Sequence, residues 1–175
     1  MMRSTKSNAA ASGTHRAVVA AARPPLQAER LVGVGFRCWM NGLDTGDIDC
    51  WQSAFSEYAG CVGVDNAKAL VPGLSNWVRA VRGSAQRPIE IAPRGCSQFC
   101  RDECLAIAMV AACQHSACPA LKACAFALIG SSEVNRALDA AEEFAHSLRR
   151  ADQILSPGSI CNAAAMMPQG RGLLS

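Results

Sequence analysis

Between residues 26 and 155 the apolar positions recur at helical spacing and almost never alternate, which predicts an all-α chain. Leu31, Val32, Val34, Phe36, Trp39 and Met40 mark one face of a first helix, within which Gly33 and Gly35 each cost about 1 kcal/mol relative to alanine. A neighbour packed closely against the backbone would account for glycine at both places. The run Asn41-Gly42-Leu43-Asp44-Thr45-Gly46-Asp47 predicts a turn, and Asp47 can cap a second helix carrying Trp51, Ala54, Phe55, Tyr58 and Val62. Gly60 and Gly63 mark its end. Asp65 is the candidate cap of a third helix with Leu70, Val71, Leu74, Trp77, Val78 and Val81 inward, and Pro72-Gly73 predicts a kink or break inside it.

The pattern changes over residues 83–95. There Arg87-Pro88-Ile89-Glu90-Ile91-Ala92-Pro93 sets two prolines around a short alternating stretch, which predicts an extended connector with Ile89 and Ile91 pinned against the helices. A strongly apolar helix is expected over residues 97–114. At about 100° per residue, Cys96, Cys100, Cys104, Ile107 and Ala111 share an arc of about 80°, read as its buried face, with Arg101 and Glu103 read as pointing elsewhere. Cys118-Pro119 restarts the chain in a helix to Ile129 that Gly130 closes. Ser131 or Ser132 then caps a last amphipathic helix to about Leu155, with Leu138, Ala141 and Leu148 inward and Glu142, Glu143, Arg149 and Arg150 outward. The expected architecture is a single orthogonal or bundle-like domain of five to six helices over residues 26–155. A disordered N-terminal arm at 1–25 and a flexible tail at 156–175 flank it.

Composition narrows the class of protein. A chain of 175 residues, 50% hydrophobic and 18% charged, suits one domain with an ordinary core, so neither disulfides nor a metal is needed merely to fold. The net charge of +3 is mild and the basic residues are scattered, so no nucleic-acid partner is expected. No apolar run approaches the roughly 18 residues that would cross a bilayer, so no membrane association is expected. Arg3, Lys6, Arg16 and Arg23 precede the first acid, Glu29, but the apolar stretch at 17–22 is too short for a secretory leader. An organellar transit peptide is the alternative to a disordered arm. Without export, a cytoplasmic location and reduced thiols are expected.

Candidate chemistry rests on cysteine. Of ten cysteines, six fall together: Cys96, Cys100, Cys104, Cys113, Cys118 and Cys124. On a helix the first three would rise one turn apart with Cβ atoms about 5–6 Å from each other. A disulfide within such a row is disfavoured, because it needs Cβ atoms about 3.5–4.5 Å apart. The C-x₂-C spacing of zinc and iron–sulfur sites is missing. Copper(I) is the better match, since thiolates one turn apart on facing helices can share it. In this the row resembles the cysteine-lined four-helix bundles that store copper, which implies copper(I) on these six residues; zinc, weighed on spacing alone, is the other candidate metal for them. Thiol redox chemistry is a further option, because Cys96 or Cys100 would sit at a helix N-terminus near Arg94 and Arg101. Asp102 and Glu103 oppose it. A Cys-His pair drawn from Cys113 or Cys118 with His115 or His146 is conceivable, but no catalytic residue is assigned. Set against these is packing: reduced cysteine behaves as a small hydrophobe, which suits Cys38, Cys50 and Cys61 well.

The runs Phe36-Arg37-Cys38-Trp39-Met40, Asp47-Ile48-Asp49-Cys50-Trp51, Phe99-Cys100-Arg101-Asp102-Glu103-Cys104 and Ala112-Cys113-Gln114-His115-Ser116-Ala117-Cys118-Pro119 carry a family resemblance. Through them, over residues 31–155, the chain resembles a cysteine-rich helical family of alphaproteobacteria, chiefly rhizobia, with no assigned activity. The resemblance implies a bacterial cytoplasmic setting. Two expectations follow for function. One is an accessory protein that binds a soft metal or acts in thiol redox through the six cysteines. The other is a non-catalytic interaction or structural domain, with a protein partner or as a homodimer, whose cysteines are buried packing residues.

Overall fold

A computed structural model of the chain describes residues 27–167. Among the described residues there are seven helices and no strand: α1 (Gln27–Thr45), α2 (Ile48–Val62), α3 (Val64–Ser84), α4 (Arg101–Gln114), α5 (Cys118–Ile129), α6 (Asn135–Arg150) and α7 (Gly158–Met166). The all-α class is as expected, with one helix more than the higher count. The architecture turns on α4. Every residue from Leu105 to Ala112 is buried, so this helix is apolar around its whole circumference and must be covered on all sides. The cover comes from α1, α5, α6 and α7, while α2 and α3 pack outside on α1 and α3 lies along α6. Trp77 of α3 ties the layers together: its ring lies 5.4 Å from Phe36 on α1 and 5.5 Å from Phe144 on α6. No helix among the described residues is long and apolar enough to cross a membrane.

Glycine permits the closest approaches. A Cβ on Gly33 would stand 2.5 Å from the Phe99 ring and 2.9 Å from Ile107 Cδ1, and one on Gly35 would stand 2.6 Å from the Tyr58 hydroxyl. The close-packing explanation for both therefore holds. Gly42 faces Trp51 in the same way, so the Asn41-Gly42 pair stays helical and the turn is confined to Gly46 at φ +73° and Asp47. Asp47 caps α2 as expected, accepting from the Asp49 amide at 2.9 Å. The next cap differs. Gly63, at φ +82°, occupies the N-cap of α3 and Asp65 falls inside the first turn. The helix also runs unbroken through Pro72. Gly73 lets the Phe144 ring of α6 come within 3.4 Å of where a Cβ would stand, so packing against α6 holds a turn that proline weakens.

The C-terminal half departs further from the local pattern. Gly130 closes α5 in the left-handed region at φ +74° as expected, but α6 starts at Asn135 with Val134 in the cap position, and Ser131 Oγ accepts only from the Glu133 amide. It stops at Arg150, before a left-handed Asp152 at φ +56°. Of the flexible tail expected over 156–175, residues 168–175 lie outside the described residues, and within the described part α7 folds back onto α4 with Ala163 completely buried. The expected arm at 1–25 lies outside the described residues.

Candidate functional site: the cysteine segment and its carboxylate clamp

The stretch before α4 is held by side chains rather than by secondary structure. Asp102 and Glu103 stand in the first turn of α4, where the helix dipole favours negative charge, and both are buried. Asp102 accepts from Arg87 Nη1 at 2.8 Å and Nη2 at 2.7 Å and from the Glu90 amide at 2.9 Å. Glu103 accepts from Arg37 Nε at 2.6 Å and Nη2 at 3.0 Å. It also accepts from the amides of Ala92 at 3.2 Å and Cys100 at 2.8 Å. Arg37 completes the lock by donating to the carbonyls of Cys96 at 2.7 Å and Gln98 at 2.8 Å, with its guanidinium 5.3 Å from the centre of the Phe99 ring. Ile89 and Ile91 pack half-buried on the core beside this clamp, as expected of an extended connector.

That clamp explains why α4 begins at Arg101 and not at residue 97. A helix through residues 97–100 would use the Cys96 carbonyl to bind the Cys100 amide and the Gln98 carbonyl to bind the Asp102 amide. Arg37 takes both carbonyls, and Glu103 takes the Cys100 amide. Cys100 therefore sits at the N-cap in extended backbone. Glu103, expected to point away from the buried face, is fully buried. At about 100° per residue it lies only about 40° from Ile107, so the periodicity itself supports its burial.

The row of cysteines is broken by the same event. Cys96 is exposed in the loop after the left-handed turn at Gly95, φ +81°. Cys100 is half-buried, its thiol donating to the Glu90 carbonyl at 3.1 Å. Cys104, also half-buried, faces the Phe99 carbonyl at 3.9 Å. Cys113 lies at the far end of α4, Cys118 is exposed at the start of α5, and Cys124 is buried in the middle of α5. Among the described residues no three His, Cys, Asp or Glu side chains are placed to hold a metal ion. The six candidate ligands Cys96, Cys100, Cys104, Cys113, Cys118 and Cys124 are thus not brought to one point. His115, one of the two candidate bases, has Nε2 2.8 Å from the Leu155 carbonyl, a backbone contact and not a thiol.

Burial also sets the chemistry of the thiols. It pushes Cys104 and Cys124 up to about 11 and Cys113 up to about 12, and it raises Cys100 despite the amides at the start of α4. Cys38 and Cys50 are raised by burial as well. Cys50 accepts from Asn41 Nδ2 at 3.2 Å and points at Asp47, which pairs with Arg94 at 3.3 Å. These thiols are protonated near neutral pH, which is the opposite of an activated nucleophile.

Two clefts border the connector. One, of about 290 Å³, is lined by Met40, Asp44, Arg82, Arg87 and Ile89. The other, of about 240 Å³, is lined by Arg37, Asn41, Ile91, Pro93 and Arg94. Their charged groups are already matched, Arg82 with Asp44, Arg94 with Asp47, Arg87 with Asp102 and Arg37 with Glu103. The residues that organise the segment, Arg37, Arg87, Asp102 and Glu103, are not singled out by the sequence pattern. One signal is present: Glu103 stands three positions after Cys100, the spacing of a capping box. No protein-family model, curated protein or solved structure matches the chain.

Proposed function

We propose that this chain is a non-catalytic helical interaction module whose inward cysteines act as small packing residues. The observation that carries the reading is the divergence of the six clustered cysteines, three on α4 or its cap, two on α5 and one in a loop. The raised thiols support it. An interaction role draws on α5, whose outer face carries Pro119, Ala123 and a Phe126 that is 58% exposed, with Lys122 its one charge. A bacterial cytoplasmic setting is carried by the family resemblance alone.

Metal analysis of protein purified without added metal, joined to thiol titration, tests the reading. The expected result is substoichiometric copper and zinc, ten titratable thiols after unfolding, and a retained fold in Cys100→Ala and Cys104→Ala. Stoichiometric copper or zinc that is lost together with the fold in either variant would overturn it in favour of a soft-metal protein.

A further inference from the structure

We propose that a second copy of this chain covers the outer face of α5, the two helices lying antiparallel about a two-fold axis. The inference rests on the interaction reading and names the partner. Pro119, Lys122, Ala123 and Phe126 stand at i, i+3, i+4 and i+7, so they form one stripe along the helix, and Gly130 extends it just past the end. All of them face water. The stripe holds no acid and a single base. Beside it α7, which packs on α5, adds no charge at all.

Charge complementarity selects the occupant. Lys122 belongs to the N-terminal half of α5 and Glu133 lies just beyond its C-terminus. Both are exposed, and neither is in an ion pair among the described residues. The first turn of α5 carries no acid either, so the positive end of the helix, like Lys122, lacks a negative neighbour on its own helix. A parallel pair of copies would set Lys122 against Lys122 and Glu133 against Glu133. An antiparallel pair instead brings each glutamate to the lysine and the N-terminal end of the other α5, and it does so twice. Two unmatched opposite charges at opposite ends of one stripe are what an isologous two-fold interface uses.

The apolar positions agree with that pairing. With the axis midway between Ala123 and Phe126, the Phe126 ring of each copy lies over Ala123 of the other, and Pro119 over Gly130. Each contact sets a large group against a small one. Lys122 then stands opposite Ala127 of the second copy, about 4.5 Å along the helix from Gly130, so that an extended lysine reaches Glu133. One helix face is at the low end of specific interface sizes, so the dimer is weak, with a Kd of roughly 10–100 µM.

Sedimentation velocity of the full chain over about 2–300 µM, which brackets that Kd, is the test. A reducing agent is kept present because Cys118 is exposed on the same helix. The wild type is expected to pass from monomer to dimer across the range. Phe126→Glu, at an exposed position, is expected to keep the helical circular dichroism signal and to weaken the dimer at least about 10-fold. Lys122→Glu and Glu133→Lys alone each set like charges together and are expected to weaken it about 3-fold or more. Mixed in equal amounts, these two variants are expected to pair at least about 5-fold more tightly than either does with itself, since the mixed dimer restores both opposite-charge contacts. A wild type that stays monomeric throughout would overturn the proposal. A dimer indifferent to Phe126→Glu would overturn the choice of α5, and a mixture no tighter than its components would overturn the antiparallel pairing. Metal content reads the parent proposal separately: a metal-free monomer refutes the dimer and leaves the interaction module standing, whereas stoichiometric metal bears on the module alone.

Discussion

Replacing Glu103 by glutamine is the most informative single perturbation of this fold. Glu103 is fully buried, and each of its oxygens faces two donors: Oε1 the Arg37 Nε and the Ala92 amide, Oε2 the Arg37 Nη2 and the Cys100 amide. Whichever way the new side-chain amide turns, its NH₂ meets two donors, and Arg37 keeps a buried charge with no counterion. Removing one partner of a buried pair costs about 3–5 kcal/mol, a large part of the roughly 5–15 kcal/mol that a domain of this size has. Arg37→Met should cost about the same. The double variant Arg37→Met with Glu103→Leu removes both charges and leaves the Cys96 and Gln98 carbonyls and the Ala92 and Cys100 amides to find other partners. At about 0.5–1 kcal/mol for each lost bond, the double variant should cost about 2–4 kcal/mol, well short of the summed single effects of about 6–10 kcal/mol. Urea unfolding followed by far-ultraviolet circular dichroism and tryptophan fluorescence gives all three values. A cost below about 1 kcal/mol for Glu103→Gln, or single effects that simply add, would refute the claim that this pair fixes the start of α4.

Two other sites give sharp outcomes. Gly33→Ala should destabilise by about 1–3 kcal/mol because the Phe99 ring and Ile107 must move, whereas Gly60→Ala, with open space around it, should stabilise by about 0.5–1 kcal/mol; thermal melts rank the pair. Thiol labelling at about pH 8 should modify Cys96, Cys118 and Cys161 first and the remaining seven slowly, with all ten reacting in urea; rapid labelling of Cys104 or Cys124 in the folded protein would contradict their burial. Stability should also fall at alkaline pH. Burial raises Cys104, Cys113 and Cys124 above the ordinary thiol value of 9.0, so the unfolded chain releases these protons first. Their contribution is complete below about pH 8.5 and declines from about pH 9 towards 12, which urea midpoints at about pH 8 and pH 10 under reducing conditions would register.

Much of the backbone could be read locally. The caps at Asp47 and Gly130, the proline-bounded connector and the apolar faces of α2 and α3 rest on residues within one or two turns of each other. The failures share a cause. Asn41-Gly42 reads as a turn unless Trp51 is known to lie against it, and Pro72-Gly73 reads as a break unless Phe144 does. The cysteine row is the costliest case, because its geometry assumes a helix from residue 97 that Arg37, distant in sequence, prevents.

The sequence by itself determined an all-α fold of mostly amphipathic helices with one strongly apolar helix, and a connector rich in proline, because spacing and backbone restriction act over a few residues. The tertiary structure decided where α4 starts, that its cysteines diverge, and that residues 158–166 fold back as α7. Each of those outcomes hangs on a long-range contact, Arg37 with Glu103 or Glu29 with Ser156, 66 and 127 residues apart. A buried charge takes the partner that the fold brings to it, and local periodicity carries no record of that choice.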